Sequence, residues 1–290
     1  MSQINDLAKL LQSASDVYYG GEDAIMSDAE FDHMRDELEE LDPHHPFLAK
    51  VGALANSALK KVNHSIPMGS LKKISPGPNQ IVEFEAWVKS ISGSKIAIQF
   101  KLDGLSIEII YRKGKFVQAI TRGDGEVGED VTHTIKNAQG FPRSISVKDR
   151  QVSVRCEALL YIADWKKHFA DKANPRNVAS GLVRRIDAKG SEHLRLVAFD
   201  ILFDDNWFKT EQDRIKWLNA QKFVTTPSEI VHRGAVKWFI QGLIAKRNTL
   251  SYEIDGAVVK VDDISQQERL GEHNGRPYWA RAWQFNTEEN

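Results

Sequence analysis

The sequence predicts an α+β fold, in which a helical N-terminal segment precedes a larger part built from antiparallel sheets with flanking helices. Apolar residues recur with helical spacing near the N-terminus. From Lys95 onward the pattern changes to β-rich runs that are separated by turn-forming pairs. Helical patterns then recur between the later strands, which is typical of an α+β arrangement.

The composition is that of an ordinary globular protein. The chain has 290 residues, with 39 Lys or Arg against 40 Asp or Glu, and a single cysteine, Cys156. One cysteine excludes an internal disulfide and a cysteine-rich zinc module, and it fits a reduced, cytoplasmic setting. No apolar run approaches the ~18 residues that a membrane span needs. Residues 1–98 hold 9 basic and 14 acidic side chains, whereas residues 99–290 hold 30 and 26, which suggests two functional parts.

Two amphipathic patterns predict the N-terminal helices. The first has an apolar stripe at Ile4, Leu7, Ala8 and Leu11. The second helix, which ends before Asp42-Pro43, has its stripe at Phe31, Met34, Leu38 and Leu41. A stretch rich in helix breakers then runs to about residue 80 and predicts a loop, and a further helix is predicted over 80–90.

The strands begin with three consecutive runs, KIAIQFKL, SIEIIYR and KFVQAITR. Asp103-Gly104 and Lys113-Gly114 separate them, and such pairs predict hairpin turns. Further strands are predicted in QVSVRCEALLYI, HLRLVAFDILF and YEIDGAVVKVDD. Short helices are predicted over 163–171, 177–187, 211–221 and 235–248.

The Gly-rich stretch 123–128, GDGEVG, matches the GxGxxG pattern of dinucleotide-binding folds. Its context argues against that function, because Asp124 and Glu126 would face a pyrophosphate and the surroundings indicate a hairpin rather than a βαβ unit. A turn-rich loop is the better interpretation. No phosphate-binding P-loop is present, and the nine histidines lack metal-ligand spacing.

Lys101 stands at a predicted strand end, in the run KLDG. A lysine acts as a nucleophile only when it is unprotonated, so its site must lower its pKa through desolvation or a nearby cation. Asp103 lies two residues on, on the same strand face. Taken alone, a Lys-x-Asp-Gly run is more often an ordinary turn.

Further motifs accompany KLDG in a fixed order. They are TRGDGEVGEDVT (121–132), RCE (155–157), ANPRNVASG (173–181), EIDGAVVKV (253–261) and RPYWARAWQF (276–285). The series resembles that of the NAD-dependent polynucleotide ligases, best known as bacterial DNA ligases. YYGGEDAIMSDAEFD (18–32) and HSIPMGSL (64–71) resemble the nicotinamide-mononucleotide (NMN) module of that family. The resemblance implies an NMN-binding module over 1–70 and a nucleotidyltransferase domain, with the ATP-grasp-like ligase adenylation fold, over 71–290.

The resemblance also implies a reaction. Lys101 attacks the adenylyl phosphorus of NAD, releases NMN and forms lysyl-AMP; AMP then passes to a 5′-phosphate strand end, and a 3′-OH displaces it. The residues at catalytic positions are Lys101, Asp103, Arg122, Glu157, Asp255 and Lys260. Glu157 and Asp255 would hold Mg²⁺, which usually retains several waters.

Residues implied to bind the cofactor lie in both parts of the chain. They are Tyr18, Tyr19, Asp28, Phe31, Asp32, Gln99, Leu102, Gly104, Arg176, Arg184, Phe199 and Gln284. In this set Phe199 would stack on adenine. Asp28, Phe31 and Asp32 share one helix face and could meet the cationic nicotinamide ring. Spacing alone equally fits an acidic first turn that complements the helix dipole.

The chain departs from the usual family pattern at several positions. Gln99 replaces Glu, although an amide oxygen can still accept from the adenine amino group. Tyr19 replaces His and Phe31 replaces Tyr. Gln284 replaces a Lys and so removes a positive charge that is expected near the transferred phosphate. Strand alternation places Arg281 on the opposite face from Gln284, so Arg281 is not an obvious substitute.

The OB-fold, zinc, helix-hairpin-helix and BRCT domains of larger family members are not found in these 290 residues. The preferred interpretation is therefore a compact NAD-dependent polynucleotide ligase, with RNA slightly favoured over nicked DNA as its substrate. The alternatives are a DNA ligase, an adenylation fragment or subunit that needs another chain, and a degenerate NAD- or nucleic-acid-binding module. We expect a cytoplasmic monomer with NAD and strand ends as partners and no membrane.

Overall fold

The computed structural model describes residues 2–20, 25–26, 28–49, 58–91, 95–202 and 207–285. The helices are α1 (Ser2–Gly20), α2 (Asp28–Leu41), α3 (Pro46–Ala49), α4 (Gln80–Ser90), α5 (Thr132–Ile135), α6 (Ile162–His168), α7 (Pro175–Arg184), α8 (Glu211–Ala220), α9 (Val236–Lys246) and α10 (Ile264–Leu270). The strands are β1 (Lys61–Asn63), β2 (Lys73–Ile74), β3 (Lys95–Leu102), β4 (Leu105–Arg112), β5 (Lys115–Thr121), β6 (Val127–Glu129), β7 (Val152–Leu160), β8 (Leu194–Leu202), β9 (Ser228–His232), β10 (Ile254–Val261), β11 (Glu272–His273), β12 (Arg276–Pro277) and β13 (Ala280–Gln284). The α+β prediction is therefore confirmed.

Two main sheets form the body of the described chain. One has the strand order β2-β13-β10-β3-β9, and the other has the order β5-β4-β7-β8. Their pairings are antiparallel except that of β13 with β2, which is parallel. Each sheet has its own apolar core, and these two cores account for most of the buried hydrophobic side chains that the structure describes.

The predicted hairpin at Lys113-Gly114 is confirmed, because β4 and β5 pair directly and both turn residues have positive φ. The predicted hairpin at Asp103-Gly104 is wrong. β3 pairs with β10 and β9, whereas β4 pairs with β5 and β7. At this point the chain leaves one sheet and enters the other. Asp103 and Gly104 are typical turn residues, but the positions of β3 and β4 are determined by their pairing with strands that are distant in sequence.

The N-terminal helices pack through their predicted stripes. Leu11 of α1 and Leu38 of α2 are fully buried, together with Leu48 of α3. Leu41, which was predicted to face the same core, is 45% exposed at the end of α2. Arg276 joins this helical part to the sheets, because its Nη1 lies 3.2 Å from both Asp36 Oδ1 and Glu39 Oε2.

The stretch predicted as a loop before residue 80 contains the short strands β1 and β2. β1 pairs with β6, which places the HSIPMGSL segment beside the loop 122–126. Backbone hydrogen bonds fix it there, from Met68 N to Gly125 O at 2.8 Å and from Ser70 N to Gly275 O at 2.9 Å. The segment therefore lies between the loop 122–126 and the turn at Gly275.

Capping residues define the later helices. Asn174 accepts a hydrogen bond from Asn177 N at the start of α7, and Pro175 occupies the first helical position. Thr210 caps α8 in the same manner. Within the described residues, no helix has both the length and the apolar character that crossing a membrane requires.

Candidate active site

One cleft, of about 580 Å³, brings together the predicted site residues that the structure describes, with one exception. Its lining includes Phe31, Gln99, Lys101, Leu102, Asp103, Gly104, Arg122, Glu157, Arg176, Arg184, Phe199, Asp255 and Lys260. Gln284 does not line it. The side chains of Tyr18, Tyr19, Asp28 and Asp32 lie outside the described part of the structure. Residues separated by more than 200 positions in the chain thus face one cavity.

Lys101 and Asp255 form the centre of the cleft. Lys101 is the penultimate residue of β3, and its Nζ contacts Asp255 Oδ2. The register between β3 and β10 shifts between Ile254 and Gly256, so Asp255 is the extra residue of a β-bulge. A bulge re-aims the side chain of the residue that it inserts. Here it brings a carboxylate against the lysine amine.

Glu157 is a buried carboxylate on β7 that accepts a hydrogen bond from Ser106 Oγ at 2.7 Å. Burial raises its pKa to about 7, and the Ser106 hydrogen bond together with the charges of Lys101 and Arg122 offsets only part of that effect. A cation placed beside this carboxylate would favour its charged form.

Glu157 and Asp255 both face the cleft and fit a magnesium ion. Asp255 Oδ1 is buried and has no hydrogen-bond partner among the described residues. A buried carboxylate oxygen without a partner is unfavourable unless a cation or water satisfies it. Carboxylate oxygens are also the protein ligands that Mg²⁺ prefers. The donor set is therefore consistent with the predicted metal.

Helix α7 supplies two arginines to the same cleft. Arg176 Nη1 lies 2.9 Å from Asp103 Oδ1, just after the end of β3. Arg184, two turns further along the helix, donates from Nε to Glu129 Oε2 at 2.8 Å. Positions i and i+8 share one face of a helix, so both guanidinium groups point toward the cavity. Each is held by a carboxylate in a defined position.

Arg122 begins the Gly-rich loop, which is a turn as predicted. Asp124 Oδ1 accepts from the backbone of Glu126 and Val127, and Gly123 and Gly125 have positive φ. His64 supports this loop from below, because its Nε2 lies 3.1 Å from the carbonyl oxygen of Arg122. The position of Arg122 therefore depends on a buried histidine of the HSIPMGSL segment.

Lys260 is buried at the floor of the cleft and is paired with a carboxylate that the sequence analysis did not find. Its Nζ lies 3.3 Å from Glu211 Oε2. Glu211 also contacts Arg214 Nη1 at 3.1 Å and accepts from Gln267 Nε2 at 2.8 Å. Asp200 completes the network through Arg214, at 3.2 Å. Burial would raise the pKa of Asp200, but Lys260 and Arg214 outweigh it and keep that pKa below its ordinary value.

Of the four aromatic residues predicted to contact the cofactor, the two whose side chains the structure describes come from different parts of the chain. Phe199, on β8, is half-buried and lines the cleft beside Gln99, whose Nε2 donates to the Phe199 carbonyl at 3.4 Å. Phe31, on α2, packs edge-on against Phe47 at a centroid distance of 6.4 Å. The cleft thus has aromatic rings from both parts of the chain, and Phe47, Phe100 and Trp279 line it as well.

Charge in the cleft differs from that of the whole chain. Among its described lining residues, ten are lysine or arginine and five are aspartate or glutamate. The chain as a whole has a net charge of −1. A pocket with this excess of cations is suited to phosphate groups.

Some relevant residues had no clear sequence signal. Lys73 lines the cleft from the short strand β2, within a stretch that was predicted as loop.

Two of the histidines lie closer together than their spacing in the sequence suggested. Asp164, His168 and His193 place ligand atoms within 4.8 Å of one another, away from the cleft. Arg195 lies 3.7 Å from the Asp164 carboxylate, and its charge would oppose a metal ion there.

Comparison with known families agrees with this geometry. Residues 56–288 match the NAD-dependent DNA ligase adenylation domain, and residues 1–52 match the DNA ligase-like N-terminal NAD⁺-binding domain. The chain belongs to the NAD-dependent DNA ligase family. The predicted family resemblance is thereby confirmed.

The relatives of this ligase-family chain are longer than the chain itself. The DNA ligase of Sorangium cellulosum is 37% identical over 98% of this chain and 45% of its own length. The DNA ligase of Treponema denticola is 34% identical over 99% of this chain and 46% of its own. The chain therefore spans about half the length of these curated relatives. Among solved structures, the ATP-dependent DNA ligase from bacteriophage T7 has a TM-score of 0.42 at 14% identity, over 76% of this chain and 69% of that one.

Proposed function

We propose that this chain adenylylates itself on Lys101 with NAD and passes the AMP to the 5′-phosphate of a DNA strand. The observation that carries the proposal is the cationic cleft in which Lys101 contacts Asp255, within a chain of the NAD-dependent DNA ligase family. Residues 1–70 act as the NMN-side module in this proposal, and residues 71–290 act as the adenylating domain.

In the first step the Lys101 side chain gives its ammonium proton to solvent and then attacks the adenylyl phosphorus of NAD as an amine. An N–P bond forms, the P–O bond to NMN breaks, NMN leaves with the bonding electron pair, and the amine proton passes to solvent. Asp255 orients the amine through their contact. Arg122, Arg184 and Lys260 line the cleft and would offset phosphate charge. Positioning and charge neutralisation carry most of the catalysis in such a displacement.

The aromatic walls suggest how the dinucleotide lies. Phe199 would stack on the adenine, and Gln99 would meet its edge, since both residues line the cleft and the Gln99 amide donates to the Phe199 carbonyl. Phe31 would face the nicotinamide half, where a ring can interact with a cation. Asp103 is held by Arg176 and would contact the ribose of the adenosine half.

Magnesium fits the carboxylates of this site. Glu157 and Asp255 would hold the ion, which when bound would neutralise charge on the phosphate. The protein itself contributes the arrangement of the two carboxylates. Ser106 fixes Glu157, and the β-bulge of β10 positions Asp255.

DNA is the proposed strand, and the initial preference for RNA is not supported. That preference rested on absent domains and on no positive RNA motif, whereas the relatives in Sorangium and Treponema are named DNA ligases. In the later steps the Lys101 N–P bond breaks as AMP moves to the 5′-phosphate. A 3′-OH then attacks that phosphate and AMP leaves.

Covalent labelling tests the first step. The chain is incubated with Mg²⁺ and with NAD that carries the label in its adenylyl phosphate, and with ATP labelled in its α-phosphate for comparison. We expect labelling from NAD and not from ATP, and complete loss of labelling in Lys101→Ala. Lys95→Ala, at the exposed start of the same strand, is the matched control and should label normally. Equal labelling from ATP, or labelling of Lys101→Ala, would refute the proposal.

Strand joining is tested separately with a labelled 5′-phosphate. Nicked DNA duplexes and RNA duplexes of the same sequence are offered to the purified chain. We expect joined DNA at a rate above that of joined RNA. If only RNA is joined, the assignment of DNA is wrong. If lysyl-AMP forms but neither strand is joined, the chain is an adenylation unit that needs another chain.

A further inference from the structure

The cleft lacks one positive charge that the family pattern places on its last strand. Gln284 occupies that position, and its side chain faces Ser75, whose Oγ donates to Gln284 Oε1 at 3.2 Å. Gln284 does not line the cleft. Arg281 is not a substitute, as predicted. Its guanidinium donates to the Pro277 and Ala280 carbonyl oxygens and lies over the Trp87 ring, 5.4 Å from the centroid.

A lysine from the adjacent strand lies on the face that a lysine at position 284 would use. β2 runs parallel to β13, and Lys73 pairs with Ala282. Paired residues in neighbouring strands point to the same face, and residues two apart on one strand share that face. Lys73, Ala282 and Gln284 therefore lie on one face of the sheet. Continuation of the register pairs Ser75 with Gln284, which agrees with their hydrogen bond.

Lys73 also reaches the cavity itself. Both Lys73 and its pair partner Ala282 line the cleft that contains Lys101 and Lys260. The Lys73 side chain is half-buried and also borders a smaller groove that contains Asp36 and Glu83. A lysine ammonium is a compact charge on a flexible four-carbon chain. Its attraction to a phosphate depends on the distance between them and not on the planar geometry that an arginine guanidinium requires.

We propose that Lys73 is a phosphate-binding residue of this cleft and supplies the charge that Gln284 lacks. The positively charged residue then lies on β2 instead of on the neighbouring strand β13, and it lies on the same face of the sheet. The proposal rests on the proposed function for the identity of the ligand, an adenylyl phosphate. Electrostatic attraction to the phosphate depends on how close the positive charge lies. It does not depend on which strand carries the lysine.

The test compares two ligands that differ only in the phosphate, namely AMP and adenosine. Binding of each is measured by calorimetry for the wild type, Lys73→Gln, Lys72→Gln and the double variant Lys73→Gln with Gln284→Lys. Lys72 is the matched control, because it is the adjacent lysine and does not line the cleft. We expect Lys73→Gln to weaken AMP binding about tenfold and to leave adenosine binding unchanged. Lys72→Gln should bind both ligands as the wild type does.

The double variant should recover most of the lost AMP affinity, because Gln284→Lys returns the charge to the same face. Wild-type affinity for AMP in Lys73→Gln would overturn the proposal. So would equal losses for AMP and adenosine, which a merely structural role predicts. A wild type that binds AMP no better than adenosine would overturn it as well.

The labelling assay distinguishes a failure of the proposed function from a failure of the proposed role of Lys73. If NAD does not label the wild type, the proposed function fails, and the comparison of AMP with adenosine still decides the role of Lys73. If NAD labels the wild type and Lys73→Gln at the same rate while AMP binding is also unchanged, the role of Lys73 fails alone. A slower labelling rate in Lys73→Gln, restored by Gln284→Lys, supports both.

Discussion

Lys260 Nζ lies 3.3 Å from Glu211 Oε2, and both side chains are almost completely buried. A buried charge that loses its partner is strongly destabilising, because the remaining ion is neither hydrated nor compensated. Glu211 is therefore a structural requirement for a cation at the floor of the cleft.

Glu211→Ala is expected to lower the free energy of unfolding by about 3–5 kcal/mol, since it leaves both Lys260 and Arg214 without this carboxylate. Urea unfolding at pH 7 measures the change. Glu85→Ala is the matched control, because Glu85 pairs with Lys237 at the surface, where such pairs contribute about 0–1 kcal/mol. Equal effects of the two substitutions would contradict the assigned role of Glu211.

Gly104→Ala is expected to destabilise the fold and to reduce the yield of folded protein. A Cβ at Gly104 would lie 2.3 Å from the Ala158 carbonyl oxygen. The link between β3 and β4 could then no longer pack closely against β7. Gly242→Ala in α9 is the control, since a Cβ there meets nothing within 4 Å and alanine favours the helix by ~1 kcal/mol. Thermal unfolding should show a lower midpoint for the first variant and a higher one for the second. A normal midpoint for Gly104→Ala would be inconsistent with the close packing.

Glu108 makes stability depend on pH through its buried contacts with His64 and Ser153. Burial would raise its pKa, but the hydrogen bonds from these two residues outweigh it and hold the pKa below the ordinary value of 4.5. An acid with a lowered pKa contributes stability above its ordinary pKa and loses it as the pH falls through the folded-state pKa. Glu108→Gln should therefore be less stable than the wild type at pH 7, and this difference should shrink below about pH 4.5.

Urea unfolding of both proteins across this pH range measures the difference. Glu126→Gln, in an exposed turn, should follow the wild type throughout. A gap that stays constant to pH 3 or widens on acidification would show that Glu108 does not act through its charge.

Phe31→Ala is expected to affect binding at only one half of the dinucleotide site. Phe31 lines the cleft from α2, whereas Phe199 lines it from the sheet. Removing the Phe31 ring should weaken NMN binding several-fold and leave AMP binding unchanged, because a cation–π contact contributes about 0.5–2 kcal/mol. Phe199→Ala should show the reverse. Calorimetry with each mononucleotide measures both, and loss of AMP affinity in Phe31→Ala would contradict the assignment of this ring to the nicotinamide side.

Much of the cleft could be predicted because its residues belong to short motifs whose order in the chain resembles that of a known family. Lys101, Glu157 and Asp255 are carried by different strands, yet each motif could be read locally. The fold class was also accessible, since alternation and helical periodicity are local properties of the chain. The opposite orientation of Arg281 and Gln284 likewise followed from strand alternation alone.

Other features depend on pairing between distant segments and could not be read in this way. The turn chemistry of Asp103-Gly104 predicts a hairpin, but β3 finds its partners beyond residue 227. The roles of Lys73 and Glu211 arise only when β2 meets β13 and when α8 meets the end of β10. Neither residue belongs to a recognisable motif, so no local pattern marks it.

The two-residue link between Leu102 and Leu105 connects the two apolar cores directly after Lys101. So short a tether has no slack, and a change in the angle between the sheets must displace Lys101 relative to Glu157. Heating that loosens either core would then change the relative position of Lys101 and Glu157 while both sheets are still intact. On heating, loss of the proposed labelling of Lys101 should accordingly precede the loss of secondary structure.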